Sequence, residues 1–286
     1  MLAAAIRRLT IVAVCFIGAP LCALGTAARA QDASAWDKEN HAAARLIAGS
    51  MIKTAGATFL RAGVEIRLDP GWKTYWRQPG DSGVPPTFDF SGSENVDSIK
   101  ILWPAPERFP DGAGGNSIGY VGRVVLPLSI TPKDATKPST MHLKLGYAIC
   151  GNLCVPAEAI LKLELAGDGA EETAIEKADL RVPRQVALGA GQELSIRAVR
   201  REPHGEHDRV TVELAAPKDA PVELFVEGPT SDWSLPLPEP SGAAGDLRRF
   251  TFDLDGMPPG AQAQGATLTF TAVSNGDAIE VPVHLD

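Results

Sequence analysis

Residues 141–165, MHLKLGYAICGNLCVPAEAILKLEL, contain the clearest structural pattern in the chain. Apolar and other residues alternate over 141–147, and alternation with a period of two is typical of a strand with one buried face. A Gly-Asn pair then interrupts the run, and the chain returns as a second alternating run at 159–165. The stretch predicts an antiparallel hairpin with Cys150 and Cys154 at its tip.

The sequence before this hairpin has the same character. Runs at 59–68, 98–104 and 123–131 predict further strands, and Asp69-Pro70-Gly71 predicts a turn after the first of them. Short strands at this spacing, without a long helix between them, indicate an antiparallel sandwich rather than alternating strands and helices.

Residues 36–50, WDKENHAAARLIAGS, have a different composition. Ala42, Leu46 and Ile47 fall on one face of a helix. We interpret this segment as a short helix or an N-terminal flap that packs against the sheets.

The second half divides into a polar connection and another β-rich block. Residues 167–192 are charged, poor in apolar residues and interrupted by Gly and Pro, so they predict a linker with one or two helical turns. Six short alternating runs between 193 and 286 predict a second, smaller sandwich that contains no cysteine. The expected fold class is therefore all-β, with sandwich domains at 36–166 and 193–286.

The first thirty residues have the pattern of an export signal. Arg7 and Arg8 precede an apolar stretch at 9–24, and Ala28-Arg29-Ala30 forms an A-x-A cleavage site. The apolar stretch is broken by Pro20 and is too short to span a bilayer. We expect a signal peptide at 1–30, a Sec-type rather than a twin-arginine route, and no stable membrane insertion.

Removal of this signal changes the charge and the cysteine content. With its three arginines gone, 24 basic residues remain against 35 acidic ones, a net charge of −11. A surface of that sign argues against nucleic acid or anionic lipid as a partner. Cys15 and Cys22 are also removed, so Cys150 and Cys154 are the pair that reaches an oxidising compartment, where a disulfide forms.

Three interpretations of the cysteine pair remain open on this evidence. A disulfide closing about five residues contributes roughly 2 kcal/mol on the chain-entropy model, so it is a weak structural staple. At a hairpin tip it is accessible to an attacking thiolate, which favours a redox couple. A metal site is less favoured because two thiolates lack further ligands, although copper(I) can use two. His204 and His207 are clustered but lie in the other block.

A resemblance to a known family rests on four stretches: LDPGWKTYWRQPGDSGVPPTFDFSGSENV, WPAPERF, GYVGRVVLPLSI and LGYAICGNLCVPAEAILKLEL. Together they resemble the amino-terminal periplasmic domain of the DsbD-type thiol:disulfide interchange proteins, in its ScsB-like branch. The resemblance implies a periplasmic, immunoglobulin-like sandwich that takes electrons from a thioredoxin-like domain and passes them to thioredoxin-fold acceptors. The fold expectation becomes two immunoglobulin-like antiparallel β-sandwich domains after a cleaved signal peptide.

The resemblance also implies roles for individual residues. Cys154 matches the cysteine that forms mixed disulfides in the family, and Cys150 matches the resolving thiol. The residues that would line the site are aromatic: Trp72, Tyr75, Trp76, Phe109 and Tyr120. No cofactor or resident metal is expected.

Three departures from the family qualify this expectation. The cysteines are closer together than in well-known members, and no membrane conduit follows the domain, so a separate membrane protein must donate the electrons. The segment that matches the family's cap loop, 111–120, also has Ala113, Gly114 and Gly115 where the family has an aromatic residue. Either Phe109 or Tyr120 covers the sulfur, or the loop is a mobile, open lid. No basic residue flanks either cysteine, so we predict ordinary thiols, with Asp111 or Glu158 as candidate proton carriers.

Overall fold

The computed structural model describes residues 32–54, 56–111, 114–166 and 169–286, so the signal peptide expected at 1–30 lies outside it. These residues form nineteen strands and one short helix. The strands make four sheets, which pack face to face in two pairs. The all-β prediction is confirmed.

Eleven strands build the first sandwich: β1 (Asp37–Glu39), β2 (Ala42–Lys53), β3 (Thr58–Leu68), β4 (Lys73–Gly80), β5 (Thr87–Asp89), β6 (Val96–Ile101), β7 (Glu107–Pro110), β8 (Asn116–Val121), β9 (Arg123–Pro132), β10 (Ser139–Cys150) and β11 (Cys154–Leu165). One sheet has the order β1-β2-β3-β9-β6, and the other has the order β11-β10-β4-β8-β7. β5 pairs with β10 on the same side as β4. Every pairing in this sandwich is antiparallel.

The predicted hairpin is the β10–β11 pair. Its register runs without a bulge from Ser139 opposite Leu165 to Cys150 opposite Cys154. The odd-numbered residues of both strands face the core, and Met141 is among the largest side chains that are fully buried. Burial of this face fixes the register, because a slip of one residue would turn every apolar side chain towards water.

The helix interpretation of residues 36–50 is wrong, since this segment forms β1 and β2. Ala42, Ala44, Leu46 and Ala48 of β2 lie in the core opposite the residues of β3. Alanine has a high helix propensity, but burial of a period-two face between two sheets outweighs it. The strand predicted at 98–104 ends earlier than expected, as β6 at Ile101.

The outer edge of β11 is covered by carboxylates from β1. The backbone N–H of Ile160 donates to Asp37 Oδ2 at 2.9 Å, and that of Glu158 donates to Glu39 Oε2 at 2.5 Å. Pro156 has no N–H to offer at the next outward position. Between residues 156 and 160, the hydrogen-bond donors of this edge are therefore occupied or absent.

The helix α1 (Glu172–Asp179) confirms the helical turns predicted in the connection. Its buried Ile175 packs against Ile47 and Val125 on the outer face of the first sandwich. Arg61 of β3 pairs with carboxylates at both ends of the helix. α1 has eight residues, and no helix in the described parts of the chain has the length and apolar character needed to cross a bilayer.

Eight strands build the second sandwich: β12 (Arg184–Gln185), β13 (Ser195–His204), β14 (His207–Ala215), β15 (Glu223–Glu227), β16 (Glu239–Ala244), β17 (Leu247–Asp253), β18 (Thr267–Ser274) and β19 (Asp277–His284). The sheet orders are β12-β19-β18-β15 and β13-β14-β17-β16. All six predicted strands are present, and β12 and β16 are additional. β12 pairs in parallel with β19 and so differs from the antiparallel arrangement expected.

The two sandwiches are joined through β4. Trp76 is fully buried, and its ring centroid lies 5.8 Å from that of Phe225 on β15. The neighbouring Arg77 donates two hydrogen bonds to Glu227, at 2.8 and 2.7 Å, and also pairs with Glu280 on β19. Apolar packing and ion pairs from adjacent residues thus fix one strand of the first sandwich against the second.

A buried carboxylate stabilises the sheet of the first sandwich that contains β3. The Glu65 side chain on β3 is 0% exposed and accepts hydrogen bonds from Arg45, Arg67 and Arg123 at 2.7 to 2.9 Å. Burial alone would raise the pKa of Glu65, but the bond from Arg45 and the charges of Arg123 and Arg45 outweigh it and lower the pKa. Glu65 is therefore charged in the folded protein.

Replacing Glu65 by glutamine should destabilise the protein, because three guanidinium groups lose their shared charged acceptor. We expect the free energy of unfolding near neutral pH to fall by about 3 kcal/mol. The folded-state pKa of Glu65 is lowered, so its stabilisation is present above the ordinary glutamate pKa and lost as the pH falls through the folded value. The free energies of unfolding of Glu65→Gln and the parent protein should therefore become more similar as the pH is lowered.

Urea titrations followed by tryptophan fluorescence, at neutral and at acidic pH, measure this difference. The control is Glu164→Gln at an exposed position of β11, which should change stability by less than about 0.5 kcal/mol. Equal losses in the two variants would contradict the role assigned to Glu65.

Candidate functional site

The two cysteines face each other across the tip of the β10–β11 hairpin. Cys150 ends β10, Cys154 begins β11, and their sulfurs form a disulfide. Their Cα atoms are 4.0 Å apart, as suits residues directly opposite in a narrow antiparallel pair. A three-residue loop, 151–153, connects the strands.

The two sulfur-bearing residues differ in exposure. Cys150 is 8% exposed and packs with Tyr75 and Ala148, whereas Cys154 is exposed. The adjoining Leu153 is 70% exposed, so the outer side of the tip presents apolar surface to solvent. Thiol-disulfide exchange requires access to the sulfur that is attacked. An incoming thiolate therefore reaches Cys154 before Cys150.

Tyr75 on β4 supplies the polar group next to the exposed sulfur. Its hydroxyl lies 3.3 Å from Cys154 Sγ, and the Ser117 side chain on β8 is close enough to influence its pKa. Burial raises the pKa of Tyr75, the Ser117 side chain opposes this rise, and the negative charge of Asp111 adds to it. The phenol is therefore neutral and keeps a proton that it can donate to a thiolate.

A row of hydroxyl groups continues from Tyr75 to a carboxylate. Ser117 Oγ lies 3.5 Å from Ser82 Oγ, which in turn donates to Asp111 Oδ2 at 2.9 Å. Ser117 is buried, and Asp111 is half-buried. Ser117 and Ser82 thus lie between Tyr75, which contacts Cys154, and the Asp111 carboxylate.

Trp72 covers the back of the cysteine loop. It follows the predicted turn, which is confirmed by a hydrogen bond of 3.0 Å from its N–H to the Asp69 carbonyl and by a φ of 84° at Gly71. A Cβ atom placed on Gly151 would lie 3.1 Å from the Trp72 ring, so glycine gives the ring room to pack closely. His41 stacks on Trp72, with ring centroids 4.1 Å apart.

A lysine lies beside the cysteines even though none flanks them in the sequence. Lys73 is opposite Cys150 in the β4–β10 pairing. Its Nζ donates to the Pro110 carbonyl at 3.2 Å and lies 5.4 Å from the centre of the Phe109 ring. The prediction of ordinary thiols considered sequence neighbours only, and the sheet adds a cation on the adjacent strand.

A groove of about 280 Å³ adjoins Cys154. Its walls are mainly apolar: Val84, Pro85, Tyr147, Ala148, Val155 and Pro156. Val84 is 58% exposed, so this wall of the groove presents apolar surface to solvent. The sulfur that is accessible to solvent therefore lies at the wall of an apolar depression.

Comparison with known families bears directly on this site. A family model described as "Thiol:disulfide interchange protein DsbD, N-terminal" matches residues 49–166, which include both cysteines. Residues 49–166 are therefore similar to the N-terminal domain of DsbD. The resemblance read from the sequence is thus confirmed for the DsbD N-terminal domain.

A solved structure has a similar fold over most of the chain. It is the N-terminal periplasmic domain of ScsB from Proteus mirabilis, with a TM-score of 0.69 and 24% sequence identity. The match covers 89% of this chain and 98% of that chain, so it extends over the second sandwich as well as the DsbD N-terminal domain. A comparison with curated proteins gave no match.

The first sandwich brings only part of the predicted aromatic rim to its cysteines. Trp72 and Tyr75 lie there, but Trp76 and Tyr120 are in the core, which corrects their assignment to the rim. Successive residues of β4 point to opposite faces, so Tyr75 and Trp76 could not both line the site. Phe109 lies on β7, where its ring faces the ammonium group of Lys73.

The aromatic group that contacts the exposed sulfur is Tyr75. Tyr120 does not cover it, because its hydroxyl donates to the buried carbonyl of Pro104 at 2.8 Å. The Gly112 and Ala113 part of the expected mobile lid lies outside the described residues.

The two candidate proton carriers differ in their surroundings. Asp111 is connected to Tyr75 through the two serines. The exposed Glu158 carboxylate instead lies 3.8 Å from Lys144 Nζ. Ser82 and Ser117 were not predicted, since single serines in strands and loops give no signal in a sequence.

The metal alternative depends on which side chains lie close together. In the parts of the chain that the structure describes, no three His, Cys, Asp or Glu side chains are grouped to hold an ion. His204 and His207 are opposite each other at the tip of the β13–β14 hairpin, in the second sandwich.

Replacing Tyr75 by phenylalanine should slow the reaction of the Cys154 thiol. The hydroxyl is placed to donate a hydrogen bond to the thiolate, and the loss of one bond to a charged group corresponds to about a tenfold lower thiolate population. Alkylation by iodoacetamide at neutral pH, measured by mass spectrometry in a Cys150→Ser background, gives the rate.

Tyr147→Phe is the matched control. The Tyr147 hydroxyl is buried and has no hydrogen-bond partner among the described residues. Burial and the charges of Glu39 and Asp37 raise the pKa of Tyr147 to about 12. This variant should leave the alkylation rate unchanged, and an unchanged rate in Tyr75→Phe as well would exclude the proposed bond.

Proposed function

We propose that the protein is a periplasmic thiol-disulfide relay protein that passes reducing equivalents to thioredoxin-fold partners through Cys150 and Cys154. The observation that carries the proposal is the asymmetry of the disulfide: Cys154 is exposed at an apolar groove, and Cys150 is buried behind it. The DsbD family match supports the same chemistry. The name of the similar ScsB domain supports a periplasmic location.

The reducing reaction takes place in two exchanges. In the first, the Cys154 thiolate attacks one sulfur of a partner's disulfide, the partner's S–S bond breaks, and a mixed disulfide forms while the other partner sulfur leaves as a thiolate. In the second, the Cys150 thiolate attacks Cys154 Sγ and releases the remaining partner sulfur. The partner gains two electrons and two protons, and the Cys150–Cys154 disulfide is formed again.

The groups around the sulfur assist proton movement in this scheme. Tyr75 stabilises the Cys154 thiolate by donating its hydroxyl proton in a hydrogen bond. Asp111 accepts the proton released from the Cys154 thiol, with Ser117 and Ser82 as the hydroxyl groups between them. Lys73 contributes a positive charge on the strand next to Cys150.

A reductant must restore the two thiols after each cycle. The same exchanges in reverse serve this step, with a thiol-bearing donor attacking Cys154. We propose that the donor is supplied by a separate membrane protein. The direction of net transfer depends on relative reduction potentials, and about 30 mV corresponds to 1.4 kcal/mol for this two-electron couple.

The order of attack predicts which variant accumulates an intermediate. Cys150→Ser should hold a thioredoxin-fold protein as a stable mixed disulfide through Cys154, because the resolving sulfur is absent. Cys154→Ser is the matched control and should capture at least about tenfold less, since its remaining thiol is buried. Non-reducing electrophoresis followed by mass spectrometry of the linked peptides measures the capture.

A redox titration of the intact protein against glutathione separates this function from its alternative, a partner- or copper(I)-binding sandwich with a structural disulfide. A relay should titrate with a potential less negative than about −300 mV. A more negative value, together with no capture by either variant, would show that the disulfide is a staple.

A further inference from the structure

The groove beside Cys154 continues into a second cavity between the two sandwiches. This cleft has a volume of about 420 Å³ and lies between residues 77–85, which are the end of β4 and the loop after it, and residues 231–235 of the second sandwich. Pro85 lines both the groove and the cleft. One surface therefore runs from the exposed sulfur, over Pro85, to the second sandwich.

We propose that the cleft receives an extended, basic segment of the disulfide-bearing partner while the partner's sulfur is at Cys154. The inference rests on the proposed function and extends it, because it gives the second sandwich a part in partner recognition.

The charges of the cleft favour a basic segment. Asp81 is in its wall, and Arg77 is the cation there. Arg77 is already paired with both Glu227 and Glu280. These three side chains together have a net charge of −1. The exposed Asp232 stands next to the lining residue 231. A lysine or arginine side chain is therefore attracted to the cleft, whereas an acidic segment is repelled.

The lining also suits a peptide backbone. Ser231 and Ser234 are exposed and offer hydroxyl groups, and Gln78 offers an amide that can both donate and accept. A small apolar ligand would find few partners here, since the apolar wall belongs to the groove at Cys154. The surface as a whole is apolar at the sulfur and polar and acidic further away.

The loop between the two cavities is firmly held, so the surface is preformed. Asp81 exchanges two hydrogen bonds with the backbone of Asn116, at 2.8 and 2.9 Å. Gly83 is packed so closely that a Cβ atom would lie 2.7 Å from the Tyr75 ring. The loop that forms the wall of the cleft therefore rests on the tyrosine that contacts Cys154.

The second sandwich is also anchored close to Tyr75 and to Asp111, the two ends of the series of polar side chains beside Cys154. Arg77 lies two residues after Tyr75, and Arg108 lies three residues before Asp111. Arg108 of β7 pairs with Glu239 at 2.7 Å, in addition to a hydrogen bond to the Pro238 carbonyl at 3.2 Å. A partner that contacts both sandwiches therefore binds a surface whose geometry is already fixed. Little conformational entropy of this protein is then lost on binding.

Synthetic peptides test the inference with the reduced, full mature chain. Each peptide has one cysteine in a mixed disulfide with thionitrobenzoate, and two lysines, two serines or two glutamates about three to six residues away, a reach of roughly 10–20 Å when extended. Attack by Cys154 on the peptide sulfur releases thionitrobenzoate, whose absorbance gives the rate. We expect the lysine peptide to react about tenfold faster than the serine peptide, and this advantage to disappear at about 1 M salt.

Two double variants test whether the preference for the lysine peptide arises at the cleft. Asp81→Asn/Asp232→Asn removes one charge from the wall of the cleft and one next to it, while asparagine can still accept the Asn116 hydrogen bond, and it should abolish the preference for lysine. Asp97→Asn/Glu164→Gln removes two exposed charges from β6 and β11 and should retain the preference.

The outcomes distinguish this inference from the proposed function. If reduced protein attacks none of the peptides, or Cys154→Ser reacts as fast as the parent, the relay function itself fails. If all peptides react at one rate, or the preference survives in Asp81→Asn/Asp232→Asn, the cleft is not the binding site although the relay stands. Loss of the preference in both double variants would assign it to the overall charge and would also overturn the inference.

Discussion

The backbone pairing of β10 with β11 is the constraint on which the site depends. Both strands have 12 residues, and they pair along their full length up to the two cysteines. The buried inward face, which includes Met141 and Leu163, holds the register. Since a strand's side chains alternate between faces, the same register that buries this face brings the two sulfurs together on the other. The disulfide is thus a result of sheet packing rather than its cause.

β4 couples this site to the rest of the molecule. Tyr75 points outward to Cys154, and Trp76 points inward to the core and to Phe225 of the second sandwich. Arg77 then forms ion pairs with Glu227 and with a second glutamate on β19. Three consecutive side chains therefore serve chemistry, core packing and domain contact in turn. This arrangement connects the second sandwich, in which the sequence has no cysteine, to the strand beside the disulfide.

The sequence was sufficient for features that depend on local patterns. Alternation predicted β3, β9, β10 and β11, and the spacing of Cys150 and Cys154 predicted their meeting at a hairpin tip. Alternation was also present in β2, but its alanines favoured a helix, and only packing between the sheets decides against that. Features that depend on the neighbouring strand could not be predicted. Lys73 and Ser117 are brought to the site by the order of the strands in the sheet, which no local sequence pattern encodes.

The carboxylates that cover β11 determine how another protein can approach. Asp37 and Glu39 occupy the amides of the strand edge beside the cysteines, and Pro156 offers none. A visiting chain therefore cannot extend the sheet there by main-chain pairing, the commonest way in which exposed strands stick to one another. Contact with the exposed sulfur is left to the loop and to the apolar groove beside it. A partner that adds no strand here can leave without breaking main-chain hydrogen bonds, which is the release that a relay of the proposed kind requires.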